Sequence, residues 1–335
     1  GTRGKTTTSH LISAMIKGSL LGGNLGISPL QWIINKKDEL RVTSYELPII
    51  LELSSFLLND FDSIKKSPHI AVWTTLFPDH LNAYKGMRQY VADKKRIYRY
   101  QTKDDFLIIN DDDLRLRELQ PKTKGKIIKY STRRRVKRGA FVAGGWIMYR
   151  DSGAPKRVIS IKDVQLPGEH NLSNILAAVC AAKAYGVSIP VIKKAIKNFK
   201  GVPYRLERVR SLRGVDYVND TTATTPEGAI AGLRSFEAGK TVLITGGNSK
   251  GLDLSEFVEE IGLRAKAVVL LPGKENKNLP SGVNVKNMKE AVAAAQKLAE
   301  KGDTVLLSPG LSWLPLMNEF ARGDEFNKIV SSLPL

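Results

Sequence analysis

The sequence has almost no cysteine and no long apolar run. Its one cysteine, Cys180, leaves no possibility of a disulfide within the 335 residues, a pattern typical of cytoplasmic proteins. Cys180 lies in the apolar stretch 175–182, where a buried small side chain is favoured over a nucleophile. No uncharged apolar run reaches the roughly 20 residues that a membrane-spanning helix needs. These absences predict a soluble, cytoplasmic protein.

Acidic residues are also scarce, with 33 Asp and Glu against 52 Lys and Arg, a net charge of +19. Residues 115–138 hold eleven Lys or Arg and one acid, Glu118, and so carry +10 of that excess. A nucleic-acid surface is one interpretation, but only Tyr130 offers a stacking surface there and no known binding motif surrounds it. A solvated basic hairpin is therefore favoured. The positive field would also attract anionic substrates such as ATP.

Short apolar runs alternate with longer helical stretches, which is typical of a doubly wound α/β sheet. The first half predicts strands at residues 48–53, 70–76 and 106–110, helices at 86–101, 171–185 and 190–199, and a small β excursion over 141–150 and 156–161. After residue 201 the alternation of short apolar runs and helical stretches begins again. It predicts strands at 215–219, 241–245, 267–271 and 304–307, with helices starting near Pro226, Leu254 and Met288. We therefore expect a P-loop-type mononucleotide-binding domain with a mostly parallel sheet over 1–201, and a Rossmann-like domain over 202–335.

A glycine-rich motif, Gly1-Thr2-Arg3-Gly4-Lys5-Thr6-Thr7, opens the sequence. In a phosphate-binding loop, backbone N–H groups face the phosphate oxygens, the lysine neutralises the terminal phosphates and the next hydroxyl binds Mg²⁺. The short spacing suits an ordinary turn at a helix start equally well. Such a loop follows an apolar strand, so we expect this sequence to be an N-terminally incomplete piece of a longer protein.

Two further candidates are a carboxylate and a histidine. Glu52 follows the apolar run 49–51, and a carboxylate at a strand end near a phosphate loop suits a Mg²⁺ ligand. A helix N-terminal carboxylate beside Ser54 is the alternative. His80 lies in a loop, where a lone histidine is usually structural, and Mg²⁺ prefers oxygen ligands.

Asn171, Asn174 and Lys94 have ordinary explanations as well. Asn171 follows a Leu-Pro-Gly turn, where it suits a helix cap, although the two amides also suit the edge of a purine. Lys94 is followed by Lys95 and Arg96, which is typical of a solvated basic helix face.

Taken in order, these segments resemble the Mur ligases, and most closely the members that add D-glutamate. The resemblance covers essentially the whole chain. It rests on the ordered motifs Gly1-Thr-Arg-Gly-Lys-Thr-Thr, Gly22-Gly-Asn-Leu-Gly-Ile, Glu52-Leu-Ser-Ser-Phe, Asp79-His80 with Tyr84, Lys94-Lys-Arg-Ile-Tyr, Gly168-Glu-His-Asn-Leu-Ser-Asn, Pro203-Tyr-Arg, Asn219-Asp-Thr-Thr-Ala-Thr, Gly246-Gly-Asn-Ser-Lys-Gly and Arg322-Gly-Asp-Glu-Phe.

The resemblance implies an ATP-dependent amide-forming ligase of peptidoglycan precursor synthesis. In that family ATP phosphorylates the terminal carboxylate of UDP-N-acetylmuramoyl-L-alanine, and the amine of D-glutamate attacks the acyl phosphate. Lys5 and Thr6 would hold the phosphates and a first Mg²⁺ together with Glu52. His80 and Lys94 would serve a second Mg²⁺, with Lys94 carbamylated. Adding CO₂ to a neutral amine creates an anion with oxygen donors, which an ordinary lysine cannot offer a cation.

The resemblance also assigns contacts to the substrates. The nucleotide would be bound by Gly1, Thr2, Gly4, Lys5, Thr6, Thr7, Asn171, Asn174, Arg205 and Asp220. The muramoyl substrate would contact Asn24 and Ser54, and D-glutamate would contact Thr224, Lys250 and Ser312. We expect a monomer that neither inserts into membranes nor binds nucleic acid.

Several departures from the family pattern limit these expectations. The uridine-binding N-terminal domain is absent from the sequence, so binding of the UDP-sugar should be poor. The family's phosphate-side lysine is replaced by Thr222, and the usual glutamine and aspartate are replaced by Leu57 and Leu314. Another Mur-type amino-acid ligase and a non-catalytic degenerate fragment are the alternative functions.

Overall fold

A computed structural model describes residues 4–24, 28, 47–77, 84–248, 252–311 and 318–334. The chain divides into two compact units, Gly1–Phe199 and Lys200–Leu335. Across the described ranges, no helix is long and apolar enough to cross a membrane.

The first unit combines a phosphate-loop helix with two sheets. Its helices are α1 (Lys5–Met15), α2 (Ser55–Leu58), α3 (Phe61–Ile64), α4 (Met87–Arg99), α5 (Leu114–Leu119), α6 (Glu169–Tyr185) and α7 (Ile189–Asn198). Its strands are β1 (Leu20–Gly23), β2 (Ile49–Glu52), β3 (Ile70–Trp73), β4 (Phe106–Asn110), β5 (Lys126–Ser131), β6 (Gly139–Ala143), β7 (Trp146–Arg150) and β8 (Lys156–Ser160).

Strands β1 and β2 pair in parallel, and a six-stranded sheet runs in the order β3-β4-β5-β6-β7-β8. Its first four strands are parallel and its last two pairings are antiparallel. One core packs α1, α6 and α7 against the larger sheet, and a second core packs α4 and α5 near β3 and β4. Cys180 is buried on α6 as predicted, and burial raises the pKa of its thiol to about 12, so it is not poised as a nucleophile.

The second unit is a six-stranded sheet with helices on both faces. Its order is β13-β12-β11-β14-β10-β9, and only the β9–β10 pair is antiparallel. The strands are β9 (Glu207–Leu212), β10 (Val215–Asn219), β11 (Thr241–Thr245), β12 (Ala265–Leu270), β13 (Val283–Asn284) and β14 (Thr304–Leu307). The helices are α8 (Pro226–Leu233), α9 (Ser255–Arg264), α10 (Met288–Leu298) and α11 (Glu319–Ser331). This agrees with the predicted Rossmann-like organisation.

The interpretation of residues 115–138 as a basic hairpin is wrong. The segment contributes most of α5 and then β5, which lies in the sheet between β4 and β6 with parallel pairing on both sides. Ile128 and Tyr130 are buried because they face the core of that sheet. Tyr130 is 1% exposed and therefore offers no stacking surface to a nucleobase.

Candidate functional site

The candidate site begins at the turn that starts α1. Gly4 is the N-cap residue with φ of 81°, and its carbonyl accepts the Thr8 N–H at 2.9 Å. The side-chain oxygen of Asn174, from α6, would lie 2.0 Å from a Cβ placed on Gly4. Position 4 therefore needs glycine both for its left-handed backbone and for the close approach of α6. Gly1 and Thr2, also predicted to bind phosphate, lie outside the described residues.

Replacing Gly4 with alanine is expected to weaken ATP binding by about tenfold or more, because a Cβ at this position would overlap the Asn174 side chain and distort the turn that is predicted to bind the phosphates. Gly18→Ala is a matched control, since Gly18 has φ of 80° at the other end of α1 but nothing within 4 Å of its Cβ position. Titration with ATP would measure both variants. Equal losses in both would contradict a specific role for the Gly4–Asn174 contact.

Glu52 ends β2 and is 4% exposed. Its Oε1 accepts a hydrogen bond from the Asn24 amide at 3.3 Å, while its Oε2 is buried with no hydrogen-bond partner among the described residues. Asn24, predicted to contact the muramoyl substrate, thus orients Glu52. The helix-start interpretation of Glu52 is wrong: Ser54 caps α2 by accepting the Leu57 N–H, and Glu52 stays in the strand.

A cavity of about 160 Å³ adjoins these groups. Lys5, Thr8, Ser9, Glu52 and Thr74 form its polar lining, and aliphatic side chains supply most of the rest. The Thr8 hydroxyl is also buried without a partner among the described residues. A carboxylate and a hydroxyl are the hard oxygen ligands that Mg²⁺ prefers, so the donor set fits this ion. Thr8 was not among the predicted site residues, although the run of hydroxyls from Thr6 to Ser9 on the first turns of α1 is a signal for it.

Lys94 lies on the buried side of α4. It is 5% exposed, and its Nζ lies 4.7 Å from the centroid of the Tyr90 ring. Together with Lys5 and Thr74 it lines a second cavity of about 30 Å³. Lys5 and Thr74 therefore border the cavities of both Glu52 and Lys94. The solvated-face interpretation of Lys94 is wrong because α4 turns this residue inward with Tyr90 and Tyr98.

The two amides of α6 form a chain of hydrogen bonds. Asn171 donates to the Pro167 carbonyl at 2.7 Å, and Asn174 donates to the Asn171 side chain at 3.2 Å. Asn171 is not a helix cap, since α6 starts at Glu169 with Gly168 as its N-cap residue. Both amides are buried, and their contact with a purine stays a prediction.

The remaining predicted residues fall into two groups. His80, Lys250 and Ser312 lie outside the described residues. Thr224 is half-buried, and its N–H donates to the Thr222 carbonyl at 2.9 Å. The Thr222 hydroxyl donates to the Tyr204 carbonyl at 2.9 Å. No cluster of three or more His, Cys, Asp or Glu suited to a metal occurs within the described ranges.

Arg205 and Asp220, predicted to contact the nucleotide, differ sharply in environment. Arg205 is exposed, whereas Asp220 is buried. The Asp220 carboxyl accepts hydrogen bonds from the Ser308 hydroxyl at 2.8 Å and from the Leu206 N–H at 3.2 Å. Burial raises the pKa of Asp220 to about 7, despite these hydrogen bonds and the nearby Arg205. Asp220 thus joins the ends of β10 and β14 to the segment before β9.

Replacing Asp220 with asparagine is expected to flatten the pH dependence of folding stability between about pH 4 and 7. In that interval the folded state keeps the Asp220 proton that the unfolded state loses, so the free energy of unfolding falls as pH rises, by on the order of a few kcal/mol. Asparagine retains the shape and stays neutral. Urea titrations at several pH values would measure the difference; parallel curves for the two proteins would contradict it.

Known protein families match both units of the chain. Residues 1–182 match the family model described as the Mur ligase middle domain, and residues 204–311 match the one described as the Mur ligase, glutamate ligase domain. The chain is 38% identical over 356 residues to the UDP-N-acetylmuramoylalanine–D-glutamate ligase of Roseiflexus sp., covering 99% of the chain and 75% of that protein. The protein of the same name from Acetivibrio thermocellus is 35% identical, and the match covers 99% of the chain and 73% of that protein.

A solved structure shows the same fold. The MurF ligase from Thermotoga maritima, in complex with ADP, superposes with a TM-score of 0.67 at 19% identity, covering 99% of this chain and 79% of that one. The family matches span both units. The chain belongs to the Mur ligase family.

Proposed function

We propose that this chain is an ATP-dependent, amide-forming ligase that adds D-glutamate to UDP-N-acetylmuramoyl-L-alanine in the cytoplasm. The observation that carries the proposal is the buried Glu52 carboxylate, which lines the same cavity as Lys5 and whose Oε2 has no hydrogen-bond partner among the described residues. A buried charged oxygen without a partner is costly, and a phosphate-bound cation would supply that partner. The shared name of the relatives supports the choice of substrates.

The chemistry requires a carboxylate to become an electrophile. Its oxygen attacks the γ-phosphorus of ATP, ADP leaves, and the resulting acyl phosphate loses inorganic phosphate when the amine of D-glutamate attacks the carbonyl carbon. Lys5 neutralises the phosphates, and the N–H groups at the start of α1 orient them. Glu52, Thr6 and Thr8 would hold Mg²⁺, which supplies charge neutralisation when bound. The chain's own contribution is positioning and electrostatic preorganisation.

Lys94 is proposed to act as a carbamate at a second cation site, with His80. The neutral amine of Lys94 is the form that would add CO₂. Lys5 and Thr74 line both cavities, so the cavity beside Lys94 lies next to the cavity beside Glu52. Two cations beside one phosphate chain would neutralise it from both sides.

Phosphate release from ATP tests the proposal. The intact protein is assayed with UDP-N-acetylmuramoyl-L-alanine and each candidate amino acid in turn. We expect release that depends on D-glutamate and yields the D-glutamyl product by mass spectrometry. Release with another amino acid would retain the ligase chemistry and change the specificity. No release with any amino acid, from a folded protein, would favour the degenerate alternative.

A further inference from the structure

Two loops of the second unit carry residues that are predicted to contact the nucleotide and the amino acid. Both loops pack against the last helix, α11. The first is the turn 204–206, which holds Arg205. The second is the loop 220–224, which holds Asp220 and Thr224. The triplet Arg322-Gly323-Asp324 near the start of α11 contacts each of them.

The 204–206 turn has a backbone conformation that requires external support. Tyr204 and Leu206, on either side of Arg205, have φ of 64° and 47°, which disfavours side chains other than glycine. Such a conformation persists where surrounding contacts over-determine it. Here the Tyr204 hydroxyl donates to Asp324 at 2.5 Å, the Tyr204 N–H donates to Glu207 at 2.8 Å, and the Leu206 N–H is bonded to Asp220. The Asp324 hydrogen bond also raises the pKa of Tyr204.

Arg322 holds the second loop. Arg322 is 1% exposed, and its guanidinium donates from Nε to the Thr221 hydroxyl and from Nη2 to the Thr221 carbonyl, both at 2.8 Å. The Thr221 hydroxyl in turn donates to the Glu319 carbonyl at 2.9 Å. Asn219, just before the loop, donates to the Gly323 carbonyl at 3.0 Å. A buried arginine with two charge-assisted bonds to one residue fixes that residue in position and orientation.

Gly323 permits both contacts at once. A Cβ at this position would lie 2.6 Å from the Thr221 methyl carbon and 2.6 Å from the Tyr204 ring. Tyr204 also packs edge-on against Phe320, one turn earlier on α11. The two loops are also hydrogen-bonded to each other, since the Thr222 hydroxyl donates to the Tyr204 carbonyl.

We propose that the triplet Arg322-Gly323-Asp324 is a positioning element that fixes the 204–206 turn and the 220–224 loop, and so presents Arg205 to the nucleotide and Thr224 to the amino acid. This role rests on the proposed ligase function. None of the three residues needs to touch a substrate; they act through the backbone of the loops that they hold.

Asp324 offers the cleanest test because it is exposed and its loss leaves no buried group unpaired. Asp324→Ala is expected to raise the KM for ATP by about tenfold, with kcat and melting temperature nearly unchanged, since Arg205 serves binding rather than chemistry. Asp324→Asn retains an acceptor for the Tyr204 hydroxyl and should restore the wild-type KM. Glu325→Ala, at the next position of α11, is the matched control.

Gly323→Ala should raise the KM for both ATP and D-glutamate, because its methyl group pushes on both loops. Hydrogen exchange adds a readout that does not need activity: the amides of 204–206 should exchange faster in Asp324→Ala than in the wild type. If the wild type is active, an unchanged KM for ATP in Asp324→Ala would overturn the positioning role. A lower kcat together with a lower melting temperature, at an unchanged KM, would overturn it as well.

The two proposals fail in different ways. A wild-type protein without D-glutamate-dependent phosphate release would overturn the proposed function, whatever the exchange rates show. Unchanged exchange at 204–206 in Asp324→Ala would overturn the positioning role, whatever the wild-type activity.

Discussion

Replacing Glu52 with glutamine is expected to lower kcat by about 100-fold or more while leaving the melting temperature unchanged or higher. Removing one preorganised charged group from a reacting site commonly costs this much. Activity should fall, but the melting temperature should not, because the Glu52 Oε2 is buried without a partner among the described residues. A buried charge in that state is more costly than a neutral amide of the same shape.

Steady-state phosphate release and thermal unfolding, measured on the same preparations, test this pair of effects. Glutamine keeps an acceptor for the Asn24 amide, so the local hydrogen bond survives. Glu256→Gln, an exposed carboxylate on α9, controls for the loss of a negative charge. If Glu52→Gln lost stability and activity together, Glu52 would be a structural group and the proposed cation site would lose its main ligand.

Replacing Lys94 with alanine is expected to reduce turnover by about 100-fold or more and to make activity responsive to added short-chain acids. Acetate or propionate would place a carboxylate where the carbamate stood, in the cavity that Lys94 shares with Lys5 and Thr74. Bicarbonate should not restore this variant because no amine remains to take up CO₂. Lys95→Ala, the next residue on α4, should behave like the wild type.

Carbon-13 NMR of the wild-type protein equilibrated with labelled bicarbonate detects carbamylation of Lys94 directly. A carbamate carbonyl signal that is absent in Lys94→Ala is expected. Unchanged turnover in Lys94→Ala would remove the catalytic role. A large loss of turnover without acid rescue and without a labelled carbonyl would leave Lys94 as an uncarbamylated cation.

Runs of consecutive apolar residues were enough to predict four of the strands that lie inside the two larger sheets. β4, β10, β11 and β14 coincide with their predicted bounds, because strands buried on both faces are continuously apolar. β5 was not predicted because Lys126 and Lys129 lie close in sequence to its buried Ile128 and Tyr130 and interrupt the apolar run. The fold class therefore followed from the sequence, whereas strands β1, β5, β9 and β13 did not.

The site was predictable in its residue types but not in its hydrogen bonds. Glu52 and Lys94 were identified, yet their burial depends on how β2 and α4 pack, which spacing does not reveal. Asn24 donates to Glu52, and Asp220 accepts a hydrogen bond from Ser308, 88 positions away; neither bond was predicted, and their contacts with substrate and nucleotide stay predictions. Contacts between residues so distant in sequence are set by the tertiary structure, so local patterns cannot report them.

The central claim is that the site activates a carboxylate by phosphorylating it, and oxygen-18 transfer tests that claim most directly. The substrate carboxylate is labelled, the reaction with ATP and D-glutamate is run in unlabelled water, and the released phosphate is analysed by mass spectrometry. We predict one labelled oxygen per phosphate formed, because the carboxylate oxygen that attacks ATP leaves with the phosphorus. Phosphate without label would mean that ATP is hydrolysed by water, and would contradict the ligase mechanism.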